Sequence, residues 1–142
     1  MKKFFALALI VFFLTSCKNE LTFKEEHFSK KSSLPCKENC PEVTLTVPVA
    51  ENVPIVADSI NKKVFAVVKE IIYFGEKPYP STDYQGLLDS FIASYDEMKT
   101  KNPKEIFGWE GKIEGKVAYE SDSLINITIK HYTFTGGAHG YE

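Results

Sequence analysis

The sequence predicts an α+β domain in which two amphipathic helices pack on a small antiparallel sheet, in the order β-α-α-β-β. Three observations carry that prediction. Apolar residues alternate with polar ones over Val43–Val47. They then recur at helical spacing in two stretches between Ile55 and Met98, and they return to alternation from Phe107 to Thr135. The chain of 142 residues suits one domain, and 44% hydrophobic with 13% aromatic residues is enough to bury a core.

The first strand is Val43-Thr44-Leu45-Thr46-Val47, half-buried by its alternation and ended or placed at a sheet edge by Pro48. From Ile55 to about Tyr73, Ile60, Val64, Val67, Val68 and Ile71 fall on one helical stripe, with lysines mostly elsewhere. The loop Gly75–Pro80 follows, and Ser81 is placed to cap a second helix. In that helix Tyr84, Leu87, Leu88, Phe91, Tyr95 and Met98 repeat until Asn102-Pro103 stops them. The next strand carries Phe107, Trp109, Ile113, Val117 and Tyr119 on one face and alternating glutamate and lysine on the other. After the turn-forming Glu120–Ser123, Leu124 to Thr135 makes the second arm of a hairpin, with Ile125, Ile127 and Ile129 on one face. His131 shares their parity and is expected to be a half-buried core histidine. Almost nothing follows to pair with this last strand, so strands completing the sheet are expected to be missing after Glu142.

The N-terminus reads as an address. Met1-Lys2-Lys3 precedes an unbroken apolar run of eleven residues, Phe4–Leu14. A membrane-spanning helix needs ~20 such residues, so the run has the dimensions of a secretory signal. Leu14-Thr15-Ser16-Cys17 closes it and resembles a bacterial lipobox, which implies cleavage before Cys17 and lipid attachment to that cysteine. The division expected is a signal peptide over residues 1–16, a lipid-anchored flexible tether over 17–35 and a folded domain over 36–142. Asn19–Leu34, rich in lysine and glutamate and without sustained period, is the spacer, and His27 within it is solvated. Lys18 follows the cysteine, where an aspartate would resemble an inner-membrane retention signal. The expected location is therefore the cell envelope, on the outer membrane.

Seventeen basic residues, all lysine, against nineteen acidic ones give a formal charge of −2. That balance excludes a strongly basic nucleic-acid binder and leaves no guanidinium for bidentate capture of phosphate. Removing Lys2 and Lys3 with the signal leaves fifteen lysines against nineteen acids, a mature charge of −4. Lipid rather than charge would hold such a body at a membrane. Cys36 and Cys40 lie in an exported segment, where two leftover cysteines most simply form a disulfide. A zinc site would need two more ligands, with His27 the only nearby candidate. No nucleophile elbow, metalloprotease helix, phosphate loop or dinucleotide fingerprint occurs, and no carboxylate pair stands out. The sequence assigns no catalytic residue, no metal and no cofactor.

One stretch is unusual. His131–Tyr141 carries three glycines in five residues at a strand end, which implies positive φ, a bulge or close approach of another backbone. Tyr132, Gly136, Gly137, His139 and Tyr141 are the candidate ligand-binding residues. His139 either projects to a ligand between the two tyrosines or is merely accommodated by a tight turn. Tyr132-Thr133-Phe134-Thr135-Gly136-Gly137-Ala138-His139-Gly140 is similar to the Y-x-F-T-G-G-A-H-G signature of a bacterial envelope domain of unknown function. That domain precedes the catalytic part of the peptidoglycan deacetylase PdaC and occurs in the lysozyme-sensing anti-sigma factor RsiV. The paired cysteines and Ile60-Asn61 fit the same pattern, and the resemblance covers roughly Cys36 to Tyr141. It implies an extracytoplasmic α+β domain that binds cell-wall glycan or a wall-active protein such as lysozyme. The T-F-D-D and H-S-x-x-H metal motifs of the deacetylase have no counterpart here. The reading is a lipid-anchored, non-catalytic recognition module with the membrane as one partner, and peptidoglycan or a wall-active protein as the other. An envelope hydrolase and a truncated remnant of a longer lipoprotein are the alternatives.

Overall fold

The computed structural model describes residues 20–104, 108–137 and 140–142. The signal segment, Cys17, Phe107 and His139 lie outside them. The elements are β1 (Thr22–Lys31), β2 (Glu42–Glu51), α1 (Pro54–Ile71), α2 (Tyr84–Lys101), β3 (Glu110–Glu120) and β4 (Ile125–Phe134). They form one four-stranded sheet in the order β1-β2-β3-β4 with two helices, and the class is α+β.

The expected elements are present, and one more precedes them. Thr22–Lys31, expected to belong to a flexible tether, is a ten-residue strand paired antiparallel with the whole of β2, from Thr22↔Glu51 to Lys31↔Glu42. Its composition misleads for a physical reason. An edge strand is protected by charge, and here that charge is paired rather than idle. Lys24 lies 2.9 Å from Glu51, Lys31 3.2 Å from Glu42, and Lys30 3.0 Å from Asp89 on α2. Phe28 turns inward and meets Tyr84 with ring centroids 5.3 Å apart. His27 is exposed, as expected, and its ring lies 2.9 Å from the Thr46 hydroxyl and 3.0 Å from Glu25.

A second difference is direction. β2 and β3 run parallel, from Glu42↔Glu110 to Thr46↔Glu114, so the sheet is mixed rather than antiparallel throughout. A parallel pair needs a long crossover, which α1 and α2 together supply. Beyond Thr46 β2 is no longer paired with β3, so Pro48 falls where the strand is an edge on that side, and β2 continues to Glu51.

Pro54 opens α1, where its missing N–H costs nothing. Asp83, rather than Ser81, caps α2 by accepting from the Gly86 amide at 2.8 Å. The helices cover one face of the sheet. Val43, Leu45 and Val47 of β2 and Ile113 of β3 meet Val64, Val68, Leu87, Leu88 and Phe91 in the core. At Gly111, a Cβ would stand 2.8 Å from Val43, so the bare backbone lets β3 pack this closely. Trp109 is buried just before β3, among Phe74, Phe91 and Tyr95 at centroid distances of 4.5 to 5.8 Å. Among the described residues no helix covers the other face of the sheet, which is mostly polar.

Candidate functional site

Strand alternation fixes what the open face displays. The even-numbered residues of β2 and β3 point away from the helices, giving Glu42, Thr44 and Thr46 beside Glu110, Lys112, Glu114 and Lys116. On β4 the same face carries Tyr132 opposite Lys112 and Phe134 opposite Glu110. The parallel β2–β3 pairing brings the first residues of both strands to one end of the sheet, where β4 finishes.

Two local devices meet at that end. Cys36 and Cys40 form a disulfide with Cα atoms 5.5 Å apart, closing a loop in which Asn39 adopts a left-handed φ of 50°. The Asn39 carbonyl lies directly against Gly108, where any side chain would collide with it. The Glu42 amide donates to the Trp109 carbonyl at 3.1 Å and fixes the loop's exit against the entry to β3. The second device is the glycine-rich turn after Phe134. Gly136 has a φ of 84°, which a side chain rarely tolerates. Gly140 packs on the Tyr132 ring, where a Cβ would stand 2.7 Å from Cζ and 2.8 Å from Oη. Thr133 and Tyr141 then exchange both backbone hydrogen bonds, at 2.9 and 2.8 Å.

At that end of the sheet, beside the disulfide loop, lies a depression of about 600 Å³, lined by Asn39, Cys40, Glu42, Thr44, Gly108, Trp109, Glu110, Lys112 and Phe134. Its floor is strand, its walls are the disulfide loop and an aromatic edge, and its polar groups are two carboxylates, an ammonium and a hydroxyl. Glu42 is held by Lys31 at 3.2 Å and Lys112 by Glu114 at 3.0 Å. Glu110 is exposed and has no ion-pair partner among the described residues. Such a surface can hydrogen-bond hydroxyl and amide groups while an aromatic edge covers an apolar patch. Among the described residues, no group of three or more histidine, cysteine or acidic side chains could hold a metal ion.

The residues singled out by sequence separate into roles. Gly136 and Gly140 shape the turn, and Tyr132 is half-buried beneath Gly140. Tyr141 is 74% exposed and tied to Thr133 through its backbone, while among the described residues nothing lies within 4 Å of a Cβ at Gly137. His131 is half-buried on the helix side, and its Nδ1 has no hydrogen-bond partner among the described residues. Sequence reading missed Glu42, Thr44, Gly108, Glu110, Lys112 and Phe134, which the strand register assembles. The pair Gly108-Trp109 before β3 was the one local signal. On the helical side, a second hollow lies beside Phe28, Phe65 and Tyr84. There burial, with Glu26 adding to it, pushes the Tyr84 phenol up to about 12.

Comparison with known proteins extends the geometry. The model of the family PdaC, described as "Deacetylase PdaC", matches residues 34–142. A DUF3298 family protein from Pseudomonas aeruginosa PAO1 shares the fold at 21% identity and a TM-score of 0.52, over 85% of this chain and 47% of that one. A DUF3298 family member from Bacteroides fragilis does so at 22% identity and a TM-score of 0.51, over 86% of this chain and 53% of that one. The chain thus spans about half the length of each. No curated protein matches it.

Proposed function

The chain belongs to the PdaC family, and on that premise we propose that it is a lipid-anchored, non-catalytic recognition module of the cell envelope. Its ligand is cell-wall glycan, taken into the depression at the disulfide end of the open sheet face. One observation carries this reading: the disulfide loop at Asn39 and Cys40, the Gly108-Trp109 entry to β3 and Phe134 at the end of β4, far apart in sequence, line the same polar, aromatic-edged hollow. The signal-like start ending at Cys17 supports placement at the membrane, with β1 beginning five residues later. The sequence contains neither deacetylase metal motif, so no bond-breaking step is assigned to its residues.

Sedimentation with insoluble peptidoglycan tests the proposal. The wild-type chain should co-sediment, and Glu110→Gln combined with Phe134→Ala should weaken binding about tenfold, a loss of ~1.4 kcal/mol, with the circular dichroism spectrum unchanged. Equal binding by the variant would place the ligand elsewhere. Binding to lysozyme but not to peptidoglycan would replace glycan with a wall-active protein. Released product that disappears in His139→Ala would replace recognition with hydrolysis.

A further inference from the structure

The hollow on the helical side is lined by aromatic rings and oxygen acceptors. It measures about 460 Å³ and lies where the inward face of β1 meets α1 and the first turn of α2. Phe28 of β1 and Phe65 of α1 flank Tyr84, with centroids 5.3 and 5.2 Å from its own and planes inclined at 43° and 67°. All three rings are half-buried and line the hollow.

Two acceptors there are unused. The Tyr84 hydroxyl makes no hydrogen bond among the described residues, unlike that of Tyr79, which lies 2.9 Å from the Ser94 hydroxyl. Glu26 gives one carboxylate oxygen to Lys24 at 3.0 Å, and its other oxygen has no partner among the described residues. Burial and the Glu26 charge together push the Tyr84 phenol up to about 12, so it stays a neutral hydroxyl. The surrounding charges favour a cation. Of the lining residues Glu26 and Asp83 are acidic and Lys62 is basic, but Lys62 is drawn to Asp58 at 2.8 Å, and Lys24 is shared between Glu26 and Glu51. Four carboxylates thus stand against two ammoniums. Asp83 also offsets the positive end of α2 by accepting from the Gly86 amide.

We propose that this hollow receives a primary alkylammonium group, the end of a lysine side chain carried by a polypeptide partner. The methylene stem lies along the rings, and the ammonium, a compact charge with three donors, reaches the Glu26 carboxylate and the Tyr84 hydroxyl. An aromatic face attracts a cation within about 6 Å of its centroid, and rings this close together let one ammonium meet more than one of them. The inference stands apart from glycan recognition, because the sheet separates this hollow from the depression at the disulfide end.

Chemical-shift titration of the full-length chain in a non-ionic detergent tests the assignment. The probe is Nα-acetyl-lysine N-methylamide, with its norleucine and Nε-acetyl-lysine counterparts as neutral controls and ethanolamine as an amine without the stem. The lysine probe should move the ring signals of Phe28, Phe65 and Tyr84 saturably, and the three controls should bind roughly tenfold more weakly. Glu26→Gln should weaken the lysine probe about tenfold, whereas Lys62→Gln, which removes a like charge from the rim, should tighten it about twofold. Equal binding of the norleucine probe would make the hollow a site for apolar chains, and equal binding of ethanolamine would make it a site for small amines; either overturns the lysine assignment. Unchanged affinity in Glu26→Gln, or no saturable shift of these rings at any attainable concentration, would overturn it as well.

Discussion

Gly136, Gly137 and Gly140 stand within five residues of one another, yet alanine at each should cost a different amount. At Gly140 the cost comes from contact. A Cβ there would press on the Tyr132 ring, 2.7 Å from Cζ and 2.8 Å from Oη, so either the ring swings out or the tail lifts from β4. Overpacking of this kind costs ~1–3 kcal/mol, and lifting the tail would forfeit the two Thr133–Tyr141 hydrogen bonds at ~1 kcal/mol each. At Gly136 the φ of 84° is the whole problem, because the space beside it is open enough, and alanine should cost ~1–2 kcal/mol. At Gly137 there is no positive φ and, among the described residues, no atom within 4 Å, so alanine should change stability by less than about 0.5 kcal/mol. Urea denaturation of the three variants gives the ranking directly. Combining Gly140→Ala with Tyr132→Ala should recover much of the Gly140→Ala loss, because the offending ring is gone. A neutral Gly140→Ala, or a double variant whose losses simply add, would refute the assignment of this glycine to ring packing.

Other consequences follow from the same geometry. Replacing Cys36 and Cys40 with alanine should lower stability by ~2 kcal/mol, the chain-entropy value for so short a loop, and near-native sheet content by circular dichroism would show the effect to be local. Tyr84 titrates near 12 in the folded chain against an ordinary 10.0, so folding favours its neutral form. That stability is fully present below pH 10 and is lost as pH rises toward 12; Tyr84→Phe should flatten the alkaline fall, read by thermal denaturation across that range. Cys17→Ala should move the chain from the membrane to the soluble fraction in a detergent partition, and an unchanged membrane fraction without precursor would refute lipid anchoring.

How much of this was legible depended on where each residue's partners lie. β2 could be read because Val43, Leu45 and Val47 face a helix layer, and burial on one face imposes alternation. The two helices were readable for the same reason, from the stripes through Val64–Val68 and Leu87–Tyr95. β1 could not be read: its partners are the charges of β2 and α2, and a strand stabilised by Lys24–Glu51 and Lys30–Asp89 has the composition of a tether. The parallel pairing of β2 with β3 also left no local trace, since strand direction is set by the crossover rather than by the strands. The depression inherited that difficulty. Glu42 and Glu110 become neighbours through register alone. The glycine-rich turn was visible as a turn, but the ring that demands Gly140 was visible only once β4 placed Tyr132 beneath it.

Amide chemical-shift mapping with a soluble peptidoglycan fragment tests the recognition proposal most directly. Shifts should concentrate on Thr44, Gly108, Trp109, Glu110, Lys112 and Phe134 and saturate with fragment concentration, while the helical face stays unchanged. Saturable shifts confined to the helical hollow around Phe65 and Tyr84, or none at any attainable concentration, would contradict glycan recognition at the open sheet face.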